Sequence, residues 1–391
     1  MTPFERRTRE CQARMADLGG EGAASSAAHP GDDRPAASDR DGAADLLVLF
    51  PSPNLFYLTG FSESPGERHL LLFVPPAGDP TFLVPELYGE QVREESWVED
   101  VRTWGDDGDP IDHVREAVRD LGIDDGRVLV DDTLWARFTQ DLRRTFPEAT
   151  FGLASEVLAP LRRRKDEAEL DAIRRAGRIA DQVVTEIRAL GGGAIGMTEA
   201  ELAAEIERRL ADAGGEAVPF EVIVGSGPNG AKPHHTHGDR VVRSGDPVVL
   251  DFGTRVDEYP SDQTRTVVFE GDPPAEFRRA HDAVREAQDA AVAAVEPGAT
   301  AGEVDAAARE VIEAAGYGDR FIHRTGHGVG LDVHEEPYVV AGSDVELEPG
   351  MVFSVEPGVY LPGEFGVRIE DLVAVTEDGC ERLNGSDRGW T

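Results

Sequence analysis

Twice in its second half the chain passes through the same succession of elements, and this repeat constrains the fold more than any other feature. A helical stretch at 166–189 leads through Gly191–Gly193 and Met197-Thr198 to a second helix at 199–213, closed by Gly214-Gly215. A β-rich stretch follows, then a hairpin that begins Pro247-Val-Val-Leu-Asp251-Phe-Gly253. Helices at 275–295 and 302–315, separated by Pro297-Gly298 and Ala299-Thr300, repeat that order and lead to Met351-Val-Phe-Ser-Val-Glu356-Pro-Gly358. Thr198 precedes Asp251 by 53 residues, and Thr300 precedes Glu356 by 56. Two helix–helix–hairpin units of matched length, each with a carboxylate after an apolar strand, predict an internal duplication with pseudo-twofold symmetry inside one C-terminal domain.

Each hairpin carries an acid on both arms. The first returns through Ser261-Asp262-Gln-Thr-Arg-Thr266, the second through Val367-Arg-Ile-Glu370-Asp371. Asp251 and Glu370 sit among apolar strand residues, where an unpaired charge costs several kcal/mol. One such acid could be answered by an arginine such as Arg368. Four converging acids need more positive charge than that, and divalent metal supplies it. Between the hairpins, Gly326-His327-Gly328 lets the backbone bring an imidazole close to a crowded centre. One imidazole with four carboxylates is a borderline-to-hard N/O set, suited to Mn, Co, Zn or Fe. Five side chains, some able to bridge, suggest two metals about 3.5–4 Å apart and metal-assisted hydrolysis. Most of the 76 acidic residues are ordinary surface charge. This quintet differs because its acids lie in apolar strands and its histidine in a glycine cradle.

The first half alternates short apolar runs with amphipathic helices. Strands are expected at 46–50, 69–74, 81–84 and 127–130, and helices at 4–18, 86–95, 109–121 and 132–145, which makes one α/β domain over 1–158. The run 19–44, rich in Gly, Ala, Ser, Asp and Pro without apolar period, reads as a disordered insertion. The catalytic domain is then 159–391. Composition narrows the partners. The net charge is −37, and Lys165 and Lys232 are the only lysines among 39 basic residues. Such acidity excludes a general nucleic-acid or anionic-membrane surface. Acid enrichment with near-absent lysine reads as adaptation to high salt, the alternative being an acidic protein of a GC-rich genome. Cys11 and Cys380 form no CxxC pattern, and neither a secretory signal nor an apolar run of spanning length is present, so a cytoplasmic location is expected.

These residues resemble the pita-bread metallopeptidases, specifically their proline-specific branch of Xaa-Pro dipeptidases and Xaa-Pro aminopeptidases. The resemblance rests on Asn54-Leu-Phe-Tyr-Leu-Thr-Gly-Phe61, Asp251-Phe-Gly, Ser261-Asp262-x-Thr-Arg-Thr266, Gly326-His327-Gly-Val-Gly330, Glu356-Pro-Gly358 and Arg368-Ile-Glu370-Asp371, in family order. It implies an α+β architecture, with an N-terminal α/β creatinase-like domain before a pseudo-twofold pita-bread catalytic domain. It further implies two divalent metal ions, manganese first, with cobalt, zinc or iron as alternatives. Asp251 would chelate one ion, His327 and Glu356 the other, with Asp262 and Glu370 bridging and a hydroxide held between the metals. Glu356 would also shuttle a proton to the departing proline nitrogen. His234 and His334 would be catalytic and substrate-contacting residues, joined at the substrate by Arg368, while His235 and His237 would be bystanders. The implied partners are short proline-containing peptides and a second copy of the chain as a homodimer.

Three features depart from the family pattern. Tyr338 follows Pro337 where dipeptidase members often carry an arginine for the substrate carboxylate. Lys232 replaces a usually apolar residue, and the 19–44 run has no counterpart. Dipeptidase and aminopeptidase activity therefore both stay open at the level of sequence. The rivals are a metal-free hydrolase resembling creatinases, a non-catalytic peptide-binding module of the same fold, and an amidohydrolase acting on a small non-peptide amide, resembling ectoine hydrolases.

Overall fold

Leu46-Leu-Val-Leu49 is buried along its whole length, the pattern of a strand covered on both faces, and it forms the middle of the first sheet. The computed structural model describes residues 1–18, 42–123 and 126–391, in two units, Met1–Arg162 and Arg163–Thr391. The insertion expected at 19–44 lies, from 19 to 41, outside the described residues.

The first unit comprises α1 (Pro3–Asp17), β1 (Leu46–Leu49), α2 (Pro53–Thr59), β2 (Leu71–Val74), β3 (Thr81–Pro85), α3 (Gly89–Glu95), β4 (Asp100–Trp104), α4 (Pro110–Asp120), β5 (Arg127–Val130), α5 (Ala136–Thr145), β6 (Thr150–Leu153) and α6 (Ser155–Arg162). Its sheet runs β4-β3-β2-β1-β5-β6, antiparallel where β2 meets its neighbours and parallel elsewhere. The alternation expected from sequence is present, with additions. Asn54–Thr59 lies within the short helix α2, started by the Ser52 cap and stopped by Gly60 in the left-handed region at φ 81°. Asn54 accepts from Arg162 at 2.7 Å and donates to Asp131 at 3.1 Å, so it serves packing of this unit rather than chemistry.

The second unit repeats itself. Its first half holds α7 (Glu167–Arg188), α8 (Glu199–Asp212), β7 (Ile223–Ser226), β8 (Val248–Phe252), β9 (Arg255–Val256), β10 (Tyr259–Pro260) and β11 (Gln263–Val267). Its second half holds α9 (Ala275–Ala293), α10 (Ala301–Ala314), β12 (Gly326–Gly328), β13 (Glu335–Val339), β14 (Val352–Val355), β15 (Gly358–Leu361), β16 (Phe365–Arg368), β17 (Asp371–Thr376) and β18 (Gly379–Arg382). The equivalence extends to detail. α8 and α10 both span 14 residues and both begin with a capping box, Thr198 with Glu201 and Thr300 with Glu303. Both capping threonines also make an isolated antiparallel bridge, to Val241 and to Glu346. β8 pairs with β11 as β14 pairs with β17, and each hairpin ends in a smaller one, β9–β10 and β15–β16.

Each half has its own core. Val184, Ile187, Leu202, Ile206, Leu250 and Phe252 close the first, and Phe277, Val284, Ile312, Phe353 and Val373 anchor the second. The sheets β11-β8-β7 and β13-β12-β14-β17-β18 meet through the bridge between Thr264 and Glu370. That junction is where the acids lie.

Candidate metal centre

The five residues singled out by sequence come from five strand ends or middles. Asp251 is the fourth residue of β8, opposite Thr264 of β11, and Asp262 immediately precedes β11. Glu356 follows β14, Glu370 precedes β17, and His327 is the middle of β12. Asp251, Asp262, His327 and Glu370 are at most 7 % exposed. Close backbone approach needs the flanking glycines: a Cβ on Gly326 would overlap the Ser354 carbonyl, and one on Gly328 the Glu336 carbonyl.

The tightest group is Asp262, His327 and Glu370, whose ligand atoms lie within 4.8 Å of one another. His327 Nε2 is 3.7 Å from Asp262 Oδ2 and 3.4 Å from Glu356 Oε1. Its Nδ1 faces the Gly328 carbonyl at 3.2 Å. A carbonyl only accepts, so Nδ1 carries the hydrogen and Nε2 is a bare lone pair. Burial, more than any neighbouring charge, pulls this imidazole down to about 3, so it is neutral. A neutral lone pair thus faces two carboxylates, an arrangement that needs a cation among them.

The acids show the same deficit of positive charge. Burial and the mutual repulsion of Glu370, Asp251 and Glu356 hold Asp262 well above the usual carboxylate range. Burial and repulsion by Glu356 and Asp251 do the same to Glu370. Burial pushes Glu356 up to about 7, with Arg368 pulling the other way. Asp251 Oδ1 and Asp262 Oδ1 are buried without a hydrogen-bond partner. Such atoms cost free energy unless something coordinates them. The donor set is one nitrogen and carboxylate oxygens, so the residues present fit divalent metal.

A shell of hydrogen bonds orients the ligands. Thr264 Oγ1 donates to Glu370 Oε2 at 2.6 Å. Ser354 Oγ accepts from the His327 amide at 3.1 Å and donates to Glu356 Oε1 at 3.3 Å. Arg368 is buried and fully engaged. Nη2 donates to Asp251 Oδ2 at 2.5 Å, Nη1 to the Tyr360 hydroxyl at 2.9 Å and the Pro233 carbonyl at 3.1 Å, and Nε to Thr264 Oγ1 at 3.1 Å. Its position is therefore that of the arginine answering one buried acid. Tyr360 in turn donates to His323 Nε2 at 2.9 Å, because His323 Nδ1 is occupied by the Arg324 carbonyl at 2.7 Å.

The other expected residues divide. The ring of His334 meets that of His327 edge-on, 4.2 Å between centroids. His234 is exposed on the loop after β7, directly after Pro233, whose carbonyl accepts from Arg368 Nη1 at 3.1 Å. His235 bonds to Glu199 at 2.8 Å and His237 to the Val222 carbonyl at 2.8 Å. Lys232 donates to Asn229 Oδ1 at 3.1 Å. Tyr338 stands opposite His327 in the β12–β13 register, with the Arg324 guanidinium 4.5 Å above its ring. Sequence reasoning missed Thr264, Ser354, Tyr360 and His323. A serine two residues before Glu356 in a buried strand was the available signal for Ser354. The others are recognisable only once distant segments meet.

Comparison with known proteins agrees with this geometry. The model of metallopeptidase family M24 matches residues 171–377, and that of the creatinase/prolidase N-terminal domain matches residues 37–164. The chain is 42 % identical to the probable dipeptidase PepE of Mycobacterium tuberculosis, over 89 % of this chain and 92 % of that protein. It is 38 % identical to the Xaa-Pro dipeptidase of Lactobacillus helveticus, over 89 % of this chain and 95 % of that one. Among solved structures, a recombinant prolidase from Thermococcus sibiricus aligns with TM-score 0.89 and 36 % identity, covering 100 % of this chain and 99 % of that one.

Proposed function

The chain belongs to metallopeptidase family M24, and we propose that its buried acid–imidazole cluster hydrolyses the Xaa-Pro bond of short peptides, dipeptides above longer ones. Its family and its relatives make it a metal-dependent Xaa-Pro peptidase and favour neither the amidohydrolase nor the non-catalytic module. The observation that carries the reading is the pair of unpartnered buried oxygens, Asp251 Oδ1 and Asp262 Oδ1, together with a bare His327 Nε2 that lies 3.7 Å from Asp262 Oδ2. The dipeptide preference follows the names of the mycobacterial and lactobacillar relatives.

Asp251 would hold one divalent ion and His327 with Glu356 the other, while Asp262 and Glu370 would be shared. Bound there, such ions lower the pKa of water toward neutrality and polarise the scissile carbonyl. The chain's own groups do the rest. Glu356, oriented by the Ser354 hydroxyl at 3.3 Å, takes the proton of the attacking water and returns it to the proline nitrogen. His334 and His234 contact the substrate, His334 donating to the carbonyl oxygen as charge develops there. Arg368 fixes the Asp251 carboxylate through its Nη2 hydrogen bond. A dedicated enzyme is needed because the bond before proline is a tertiary amide without an N–H for a protease to grip.

Manganese is the ion assigned first, with cobalt, zinc and iron sharing the same ligand preference. A cytoplasmic, salt-adapted enzyme is argued from the acidic, lysine-poor composition, and a homodimer from the family resemblance. Among the described residues no helix is long and apolar enough to cross a membrane.

The test is hydrolysis of Ala-Pro and Ala-Pro-Ala in molar salt, after chelation and again with added manganese or cobalt. Metal-dependent cleavage with the dipeptide preferred is expected. Cleavage of neither peptide overturns the reading, and equal cleavage of both removes the dipeptide preference alone.

A further inference from the structure

The segment that carries His234 runs from the end of β7 to the start of β8 and has no helix longer than a single turn to stiffen it. Ordering a long loop costs conformational entropy at every residue, and a residue meant to touch substrate cannot be left to wander. The ties that hold this loop converge on one side chain with no part in the reaction described above. Glu199, at the start of α8, is fully buried at 0 % exposure. Its Oε1 accepts from the Ser226 amide at 2.8 Å and from Ser226 Oγ at 2.6 Å. Asn229 Nδ2 donates to both carboxylate oxygens at 3.1 Å, and His235 Nε2 meets Oε2 at 2.8 Å. One carboxylate thus gathers the last residue of β7, the first turn of the loop and the residue directly after His234.

The far side of His234 is tied as well, since the Pro233 carbonyl accepts from Arg368 Nη1 at 3.1 Å. His234 stands between two anchored neighbours, one fixed through Arg368 to Asp251 and the other through Glu199 to α8. Lys232 joins the same network. Its ammonium holds Asn229 Oδ1, which turns the Asn229 amide group toward Glu199. The hydrogen bonds from Ser226, His235 and Asn229 keep Glu199 ionised against the burial that opposes it. We propose that Glu199 is the positioning residue for the loop 226–237, fixing where His234 stands at the mouth of the metal centre. The proposal rests on the reading of His234 as a substrate contact.

Glu199→Gln keeps the shape of the side chain but turns an N–H₂ toward donors, so either the Ser226 donors on Oε1 or His235 on Oε2 lose their acceptor, and Asn229 loses one of its two. Two measurements test the proposal. Amide hydrogen exchange of the metal-loaded protein should speed up about tenfold or more across 226–237 while α7 and α9 stay unchanged. On Ala-Pro, kcat/KM should fall about tenfold, chiefly through KM, at unchanged metal content. In a His234→Ala background the same substitution should cost less than about twofold, because its effect passes through that histidine. Unchanged exchange in the loop, or full additivity of the two substitutions, overturns the proposal. Should Glu199→Gln fail to fold, His235→Ala cuts one tie from the partly exposed side and is read by the same measurements. A wild-type protein that cleaves no Xaa-Pro peptide would sink the functional reading, and the exchange measurement alone would then decide the anchoring.

Discussion

Glu370 and Thr264 are bonded twice: the Glu370 amide donates to the Thr264 carbonyl at 3.1 Å, and the Thr264 hydroxyl donates to Glu370 Oε2 at 2.6 Å. This contact joins the two repeated halves at the point where their acids converge, so the duplication and the metal centre share one junction. Thr264 also accepts from Arg368 Nε at 3.1 Å, which links Glu370 to the arginine of Asp251. Thr264→Val preserves shape and removes the hydroxyl. Metal affinity should weaken about 10–100-fold, the usual consequence of losing an orienting partner, with little change in fold. Calorimetric titration of chelated protein checks this, and an unchanged affinity would show that the hydroxyl does not orient Glu370.

Burial holds Asp262 and Glu370 above their ordinary range, with repulsion by Glu370, Asp251 and Glu356 adding at Asp262 and by Glu356 and Asp251 at Glu370. Asp262→Asn and Glu370→Gln should abolish hydrolysis and lower bound metal per chain. Without metal, neither should unfold the protein, because each removes a charge that the site repels. Metal content by mass spectrometry, together with thermal unfolding, separates these outcomes. Near-normal turnover in either variant would refute the dimetal mechanism.

The same groups fix the sign of a pH effect. Glu356 is raised from 4.5 to about 7, and Asp262 and Glu370 are raised in the same direction. Between the unfolded and folded values the native metal-free state binds more protons than the unfolded one, so its stability falls as pH rises through that window. Metal binding displaces those protons and removes the effect. The difference in melting temperature between metal-loaded and chelated protein should therefore grow from about pH 5 to pH 7. Titrating metal in buffers of different ionisation enthalpy should show proton release. A difference independent of pH, with no protons released, would contradict the assignment of these acids as ligands.

How far the sequence could be read depended on how local each signal was. The candidate ligands were visible because Asp251 and Glu370 interrupt apolar strands and His327 stands between glycines, all within a few residues. The repeat was visible because α7 to α10 keep a helical period and stop at glycines. The surroundings were not. Arg368 was open to reading as the answer to a buried acid, but that the acid is Asp251, 117 residues away, and that Thr264, Pro233 and Tyr360 share the guanidinium, only the fold brings out. In the first unit α2 is too short to show a period, and β4 alternates weakly as Asp100-Val-Arg-Thr-Trp104. The buried role of Glu199 was hidden for another reason, since an acid in the first turn of a helix is ordinary.

Arg324 offers a way to read substrate length. Its guanidinium lies over the Tyr338 ring, 4.5 Å from the centroid, and its charge acts on His327, His334 and Glu356. A cation placed there favours a peptide that ends in a nearby carboxylate. Arg324→Ala should lower kcat/KM on Ala-Pro about tenfold and on Ala-Pro-Ala less. Equal losses on both peptides would mean that Arg324 does not sense the free carboxylate.

The acidic surface makes its own prediction. With a net charge of −37 and two lysines, self-repulsion opposes the folded state wherever it is not screened. Exposed arginine–carboxylate pairs such as Arg208 with Glu205 and Arg102 with Asp120 relieve it only locally. Screening has a range: the Debye length shrinks from about 10 Å at 0.1 M salt to about 3 Å at 1 M, comparable to the spacing within an ion pair. If repulsion is the main burden, the melting temperature should climb steeply up to about 1 M potassium chloride and then level off. The gain should be the same with and without metal, since Asp251, Asp262 and Glu370 are buried away from bulk ions. A melting temperature indifferent to salt would leave the lysine-poor composition as a matter of genome bias rather than salt adaptation.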